Sequence, residues 1–245
     1  MKRTIIFILP ILFLISCQQK TEQKTSETQV ENSIEEVKEP KEFICTDYNF
    51  KSVQEQADSL SFYMNKAIKS DSSTLPIWEH KFFCAFPNSF SAMESLFGYV
   101  DDLGSAPLYS TENPSQKYLD NKIFSDAIGF FSELKSIPPE LYYKKYTRIN
   151  IYGYWQADNI QGAFGFHFKL LNDTENVCKA LSKFDDNEIK SVFRFIFDGP
   201  HPKNEYNEEI YNELKPLLYK KNERLGKLWT ISYDNLMSED DGHGH

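Results

Sequence analysis

The sequence predicts an all-α protein: a single, irregular multi-helix domain behind a disordered N-terminal tether. Three observations lead there. Apolar residues recur at three- and four-residue spacing in one body segment after another. Residues 18–42 carry only Val30, Ile34 and Val37 as branched aliphatics, too little apolar surface to offset the entropy of ordering them. From about Phe43 to about Tyr233 aromatics become dense, in a chain holding 20 Phe, 14 Tyr and 3 Trp. A body of roughly 190 residues suffices for one core that buries about 70% of its unfolded surface.

At the N-terminus, Lys2 and Arg3 precede TIIFILPILFLIS, an apolar run that falls short of the ~20 residues a spanning helix needs. Residues 1–16 are expected to be a signal peptide. Leu14, Ile15, Ser16 and Cys17 resemble the bacterial lipobox, in which the cysteine thiol is diacylated with palmitate-class chains. In that class the signal is cut before the cysteine, and the new amino terminus is usually acylated as well. The resemblance implies a lipoprotein that begins at Cys17 and hangs from a membrane by lipid. Each buried methylene contributes about 0.8 kcal/mol, so more than one chain gives stable anchoring. Gln18 stands where inner-membrane retention signals want Asp, which points to the bacterial outer membrane, on either its periplasmic or its cell-surface face. Residues 17–42 then form the acylated cysteine and flexible tether.

The helical globular domain is expected over residues 43–233. KSVQEQADSLSFYMNKAIKS aligns Val53, Ala57, Leu60, Met64, Ala67 and Ile68. In FFCAFPNSFSAMESLFGYVDD, Ser91 with Glu94 suits a capping box and Gly98 a helix stop. SQKYLDNKIFSDAIGFFSEL aligns Leu119, Ile123, Ala127, Phe131 and Leu134, and Pro138 and Pro139 close that element and open the next near Glu140. INIYGYWQADNIQGAFGFHFKLL alternates like a strand at Ile149, Ile151 and Tyr152–Tyr154, then fits a helix through Ile160, Ala163, Phe164, His167 and Leu171. DDNEIKSVFRFIFDG gives the cleanest stripe, Ile189, Val192, Phe193, Ile196 and Phe197, with acids at the front and Gly199 as the stop. It is bracketed by helices carrying Val177, Leu181 and Phe184, and Ile210, Tyr211 and Leu214, with Pro216 bending or restarting the latter. Six to eight helices are expected in all. Residues 234–245 read as an acidic, His-containing tail.

The formal net charge is -9. Loss of Lys2 and Arg3 with the signal would make it more negative still, a poor match for nucleic acid and a better one for a basic protein or peptide. With Cys17 acylated, Cys45, Cys84 and Cys178 remain, and no CxxC occurs, which argues against a redox enzyme or zinc ribbon. Cys84 and Cys178 read as small buried hydrophobes; the alternative is a Cys45–Cys84 bridge. No cofactor is expected.

Four places invite a functional reading. FDGPHPKNE places Asp198, His201, Lys203 and Glu205 in a stiff Pro-rich connection, where an Asp and a nearby His could serve as base or metal ligands; helix capping is the plainer reading. Asp101 and Asp102 are adjacent acids that could line a cleft, although paired catalytic carboxylates usually face each other from separate segments. Glu239, Asp240, Asp241, His243 and His245 offer mixed ligands for weak divalent-metal binding, or simply an acidic terminus. Tyr152, Tyr154 and Trp155 would stack a glycan or anchor a peptide if exposed, and belong to the core if not. His167 lies on an apolar face and reads as a satisfied core histidine.

FFCAFPNSFSAMESLFGYVDD, the APLY at 106–109 and VFRFIFDGPHP at 192–202 are similar to segments of uncharacterised Bacteroidota lipoprotein-type sequences, a grouping that implies no activity. The resulting expectation is a lipid-anchored envelope protein acting as a non-enzymatic binding module. One alternative is a small envelope hydrolase using carboxylates and His201; another is an immunity-like lipoprotein neutralising a basic toxin.

Overall fold

The computed structural model describes Cys45 and residues 48–100, 104–109, 127–155 and 165–239. These form an irregular all-α domain whose described residues hold ten helices and one two-stranded sheet. Ten exceeds the six to eight expected, because the sequence pattern marks no helix over Leu75–Ala85 or Glu223–Ser238.

Helix α1 (Val53–Ile68) is capped by Ser52, whose side chain accepts from the Glu55 backbone. It buries Ala57, Leu60 and Ala67, while Val53 and Ile68, at the ends of the expected stripe, are exposed. α2 (Leu75–Ala85) has Pro76 in its first turn, where a missing N–H costs nothing. α3 (Phe90–Phe97) starts from Ser89, not Ser91: the Ser89 hydroxyl accepts from the Ala92 backbone. The chain leaves α3 at Gly98 into an antiparallel pair, β1 (Tyr99–Val100) and β2 (Gly104–Ser105), with Tyr99 opposite Ser105 and Val100 opposite Gly104. The Ala106 amide donates to the Gly98 carbonyl and the Leu108 amide to Leu96, fixing the hairpin against the end of α3.

α4 (Ala127–Ser132) and α5 (Pro139–Arg148) follow, and α5 starts at the second proline as expected. Residues 149–152 form turns and 153–155 irregular chain, not the expected strand. Tyr152 sits at φ 57°, and a Cβ on Gly153 would lie 2.4 Å from Cδ1 of buried Phe195. The alternation there marks a tight corner pressed onto a helix. α6 (Phe166–Asn172) and α7 (Thr174–Leu181) meet at Asp173, and α8 (Asp186–Phe197) carries a capping box between Asp185 and Glu188. α8 ends at Asp198 in extended conformation (φ -69°, ψ 140°), so Gly199 is not the left-handed stop it was expected to be. α9 (Glu205–Lys221) does not restart at Pro216; buried Leu214 and Leu218 on either side hold it as one helix. Asn222 ends α9 and caps α10 (Glu223–Ser238), which runs past the expected tail boundary at 234.

α1 packs on α2, α3 and α4, α5 pairs with α7, and α9 touches α6, α7 and α10, which also lies along α8. Aromatic rings join these groups. Phe86 stacks on Phe131 at 4.1 Å, Phe131 on Tyr142 at 5.3 Å, and Tyr146 leans on Phe166 at 5.0 Å, linking α2, α4, α5 and α6. Trp229 meets Phe193 edge-on at 5.0 Å and Phe197 at a tilt at 4.7 Å in the C-terminal group. Cys45 and Cys84 are disulfide-bonded, which corrects the reading of Cys84 as a free hydrophobe, while Cys178 is a free, buried thiol. Both halves of that pair come from segments the periodicity says nothing about. Among the described residues, no helix is long and apolar enough to cross a membrane.

Candidate functional site

An open cleft of about 530 Å³ lies where α3 meets the hairpin, lined by Val53, Ser91, Glu94, Ser95, Gly98 and residues 104–107. Most of this lining is small, and α3 presents Ser91, Glu94 and Ser95 to it at helical spacing on one face. The hairpin contributes Gly104, at φ 80°, Ser105, Ala106 and Pro107. Ser95 Oγ donates to the Ser91 carbonyl, and the Ser89 and Ser91 hydroxyls sit 3.2 Å apart. Among the described residues of this lining, Glu94 is the only ionisable side chain.

Tyr154 brings the expected aromatic segment to this place. Its hydroxyl donates to Glu94 Oε1 at 2.8 Å and its ring lies 5.2 Å from Phe90 on α3, with 47% of the residue exposed. Tyr152 is 64% exposed, with its amide donating to Ser191 Oγ. Trp155 is half-buried, and its amide donates to Asp198 Oδ2 at 2.7 Å. The aromatic trio therefore divides: one ring meets Glu94 of the cleft lining, one stands in solvent, one is partly covered.

Asp198 is engaged by backbone and cation. Besides the Trp155 amide it meets Arg194 at 3.5 Å, and Arg194 in turn bonds Glu239 at 2.8 Å. The bond to Glu239 and the nearby Asp198 charge hold the Arg194 guanidinium more firmly protonated. His201 is exposed between α8 and α9, where its carbonyl accepts from Asn204 Nδ2. Lys203 Nζ donates to the Glu239 carbonyl, and Glu205 opens α9. These residues close the α8–α9 connection onto the end of α10 and do not line the cleft. Cys17, Asp101, Asp102, Asp240, Asp241, His243 and His245 lie outside the described residues.

His167 is buried with Nε2 3.1 Å from the Tyr206 hydroxyl, and desolvation lowers its pKa. Lys145 is also buried, donating to the Phe83 and Phe86 carbonyls at 2.5 and 2.6 Å. Burial, reinforced by Arg148, brings its amine down to about 7. Lys145 lies beneath the last turn of α2, where carbonyls without a helical partner favour a donor, and it is not among the residues lining the cleft. No family model, curated protein or solved structure matches the chain.

In the sequence Ser91 and Glu94 suit a capping box and Ser95 does not stand out, so none of the three is marked as a lining. The faint signal was there: small hydroxylated residues alternate with apolar ones on a short helix that leads into a Gly-bounded turn.

Proposed function

We propose that this protein is a non-enzymatic binding module of the bacterial envelope, lipid-anchored through Cys17 at the outer membrane, that takes a basic segment of a protein or peptide into the α3–hairpin cleft. The cleft itself carries this reading. Among the described residues it offers one carboxylate, several hydroxyls and otherwise mostly small side chains, with an aromatic bonded to the carboxylate. That set suits a guanidinium or ammonium group on a narrow chain. The formal charge of -9 favours approach of a cation over long range.

The test uses a dye-labelled Ser/Ala peptide with one central Arg, compared with its citrulline twin by fluorescence anisotropy. The wild-type chain should prefer the Arg peptide, and Glu94→Gln should weaken it about tenfold, the loss of one charge-assisted hydrogen bond of about 1.5 kcal/mol. Ser95→Trp, which fills the cleft, should abolish binding. Equal affinity for both peptides, or full binding by Ser95→Trp, would overturn the reading. Anchoring is tested separately by incorporation of labelled palmitate, which Cys17→Ser should eliminate.

A further inference from the structure

We propose that Cys45, His80 and Cys84 form, once their disulfide is reduced, a binding site for a thiophilic d¹⁰ cation of the Zn²⁺ or Cu⁺ class. The two sulfurs and an imidazole nitrogen already lie within 4.8 Å of one another. Tetrahedral coordination, with metal–sulfur bonds of about 2.3 Å and metal–nitrogen bonds of about 2.0 Å, places such donors roughly 3.5–3.8 Å apart. The three residues therefore need only small side-chain movements to close around an ion, and the cysteine Cα atoms are only 5.3 Å apart.

The local fold explains the convergence. His80 and Cys84 are four residues apart on α2 and share a face. Cys45 arrives from the segment before α1 and is exposed, His80 is half-buried and Cys84 is buried, so the group opens to solvent on one side. The turn that carries Cys84 is held independently of the disulfide. Lys145 Nζ bonds the Phe83 and Phe86 carbonyls, and Gln56 Nε2 donates to the Ala85 carbonyl at 2.8 Å. Reduction leaves those ties in place, so His80 and Cys84 keep their positions. Cys178, on α7, is not part of the group.

The chemistry is a closed exchange. A dithiol reductant attacks one sulfur, forms a mixed disulfide and resolves it with its second thiol, leaving two cysteine thiols and an oxidised dithiol. On binding Zn²⁺ both thiols release their protons, and the neutral His80 imidazole contributes a lone pair, so the complex carries no net charge. Cu⁺ takes the same donors and leaves a net negative site. A fourth position stays open for water. The disulfide thereby acts as the metal-free state of the site, since thiolates and not disulfide sulfurs bind such ions.

The experiment uses the full chain in a His243→Ala/His245→Ala background, which removes the terminal histidines. Metal uptake is measured anaerobically, oxidised and after phosphine reduction, by competition with a chromophoric zinc chelator and, in a parallel arm, a Cu⁺ chelator. Circular dichroism follows the fold in each state. One equivalent should bind only after reduction, at least ~tenfold tighter than to the oxidised chain. His80→Ala should weaken it at least ~tenfold, Cys45→Ser/Cys84→Ser should abolish it, and Cys178→Ala should leave it unchanged. The proposal fails if the reduced, still helical chain binds no better than the oxidised one. It fails equally if His80→Ala binds like the parent, if Cys178→Ala loses uptake, or if reduction alone unfolds the helices.

Discussion

Replacing Lys145 by Met should change how stability depends on pH. Lys145 is buried on α5, 6% exposed, with its Nζ bonded to the Phe83 and Phe86 carbonyls and 4.6 Å from the Phe83 ring centroid. Burial brings its amine from 10.5 down to about 7. A depressed lysine releases its proton in the native state while the unfolded chain still holds one, so stability rises with pH from about 7 toward 10.5. Integrating the two titrations between pH 7 and 9 gives about 2 kcal/mol, at 1.36 kcal/mol per pKa unit. Lys145→Met has no such titration and leaves two buried carbonyls without this donor, at about 1–3 kcal/mol each. The variant should be less stable throughout, and the gap should widen by about 2 kcal/mol from pH 7 to pH 9.

Urea unfolding at half-unit pH steps reads this directly. Below about pH 10 the window is free of phenol titration in the native core, since burial pushes Tyr142, Tyr143 and Tyr146 upward. In the native chain the Cys178 thiol, raised to about 11 by burial, stays protonated over this window. A gap that is constant or narrows with pH would refute the reasoning. It would mean that the two carbonyls and the Phe83 ring stabilise the ammonium as much as burial disfavours it.

Three further outcomes follow from the packing. Cys45→Ser/Cys84→Ser opens a loop spanning 39 residues and should lower stability by about 4 kcal/mol in the chain-entropy picture, seen as a lower melting temperature with the helical spectrum retained at 25 °C. Gly153→Ala forces a Cβ to within 2.4 Å of Phe195 and should destabilise by about 1–3 kcal/mol, whereas Gly199→Ala, with nothing within 4 Å, should not; paired thermal melts decide. Asp185→Ala removes the acceptor for the Asn187 and Glu188 amides at the start of α8 and should cost about 1 kcal/mol in a urea midpoint, most of it restored by Asp185→Ser.

The helical class was legible because α8 and α9 carry their information locally. The acid-rich start and the Ile189–Phe197 stripe of α8 need no knowledge of the partner surface, and the structure buries every residue of that stripe. Phe195 shows where local reading stops. It lies off the stripe, yet it is fully buried, because the Gly153 corner presses on one side of its ring and Phe90 meets it at 5.3 Å. Both partners are distant in sequence. The strand expected at 149–154 failed for the same reason: alternating aromatics suit an extended segment equally well as a corner whose rings point apart. Cys45 and Cys84 also come together only through the packing of α1 against α2 and the segment before it.

The same distinction governs the site. Sequence alone left Tyr152, Tyr154 and Trp155 between core and surface, and no periodicity could decide, since the corner obeys none. Three ties to α8 and the residue after it decide it. The Tyr152 amide bonds Ser191, Gly153 abuts Phe195, and the Trp155 amide bonds Asp198. Tyr154 sits between these anchors, with its hydroxyl already on Glu94. A ring held this way loses little conformational freedom when a ligand arrives, so more of its contact energy appears as affinity. Asp198 and Trp155, conspicuous in sequence as chemistry and as contact surface, thus act on the proposed site by positioning their neighbour. Glu94, whose spacing suggested only a helix cap, is the charged group that the proposed binding reading sets against its ligand.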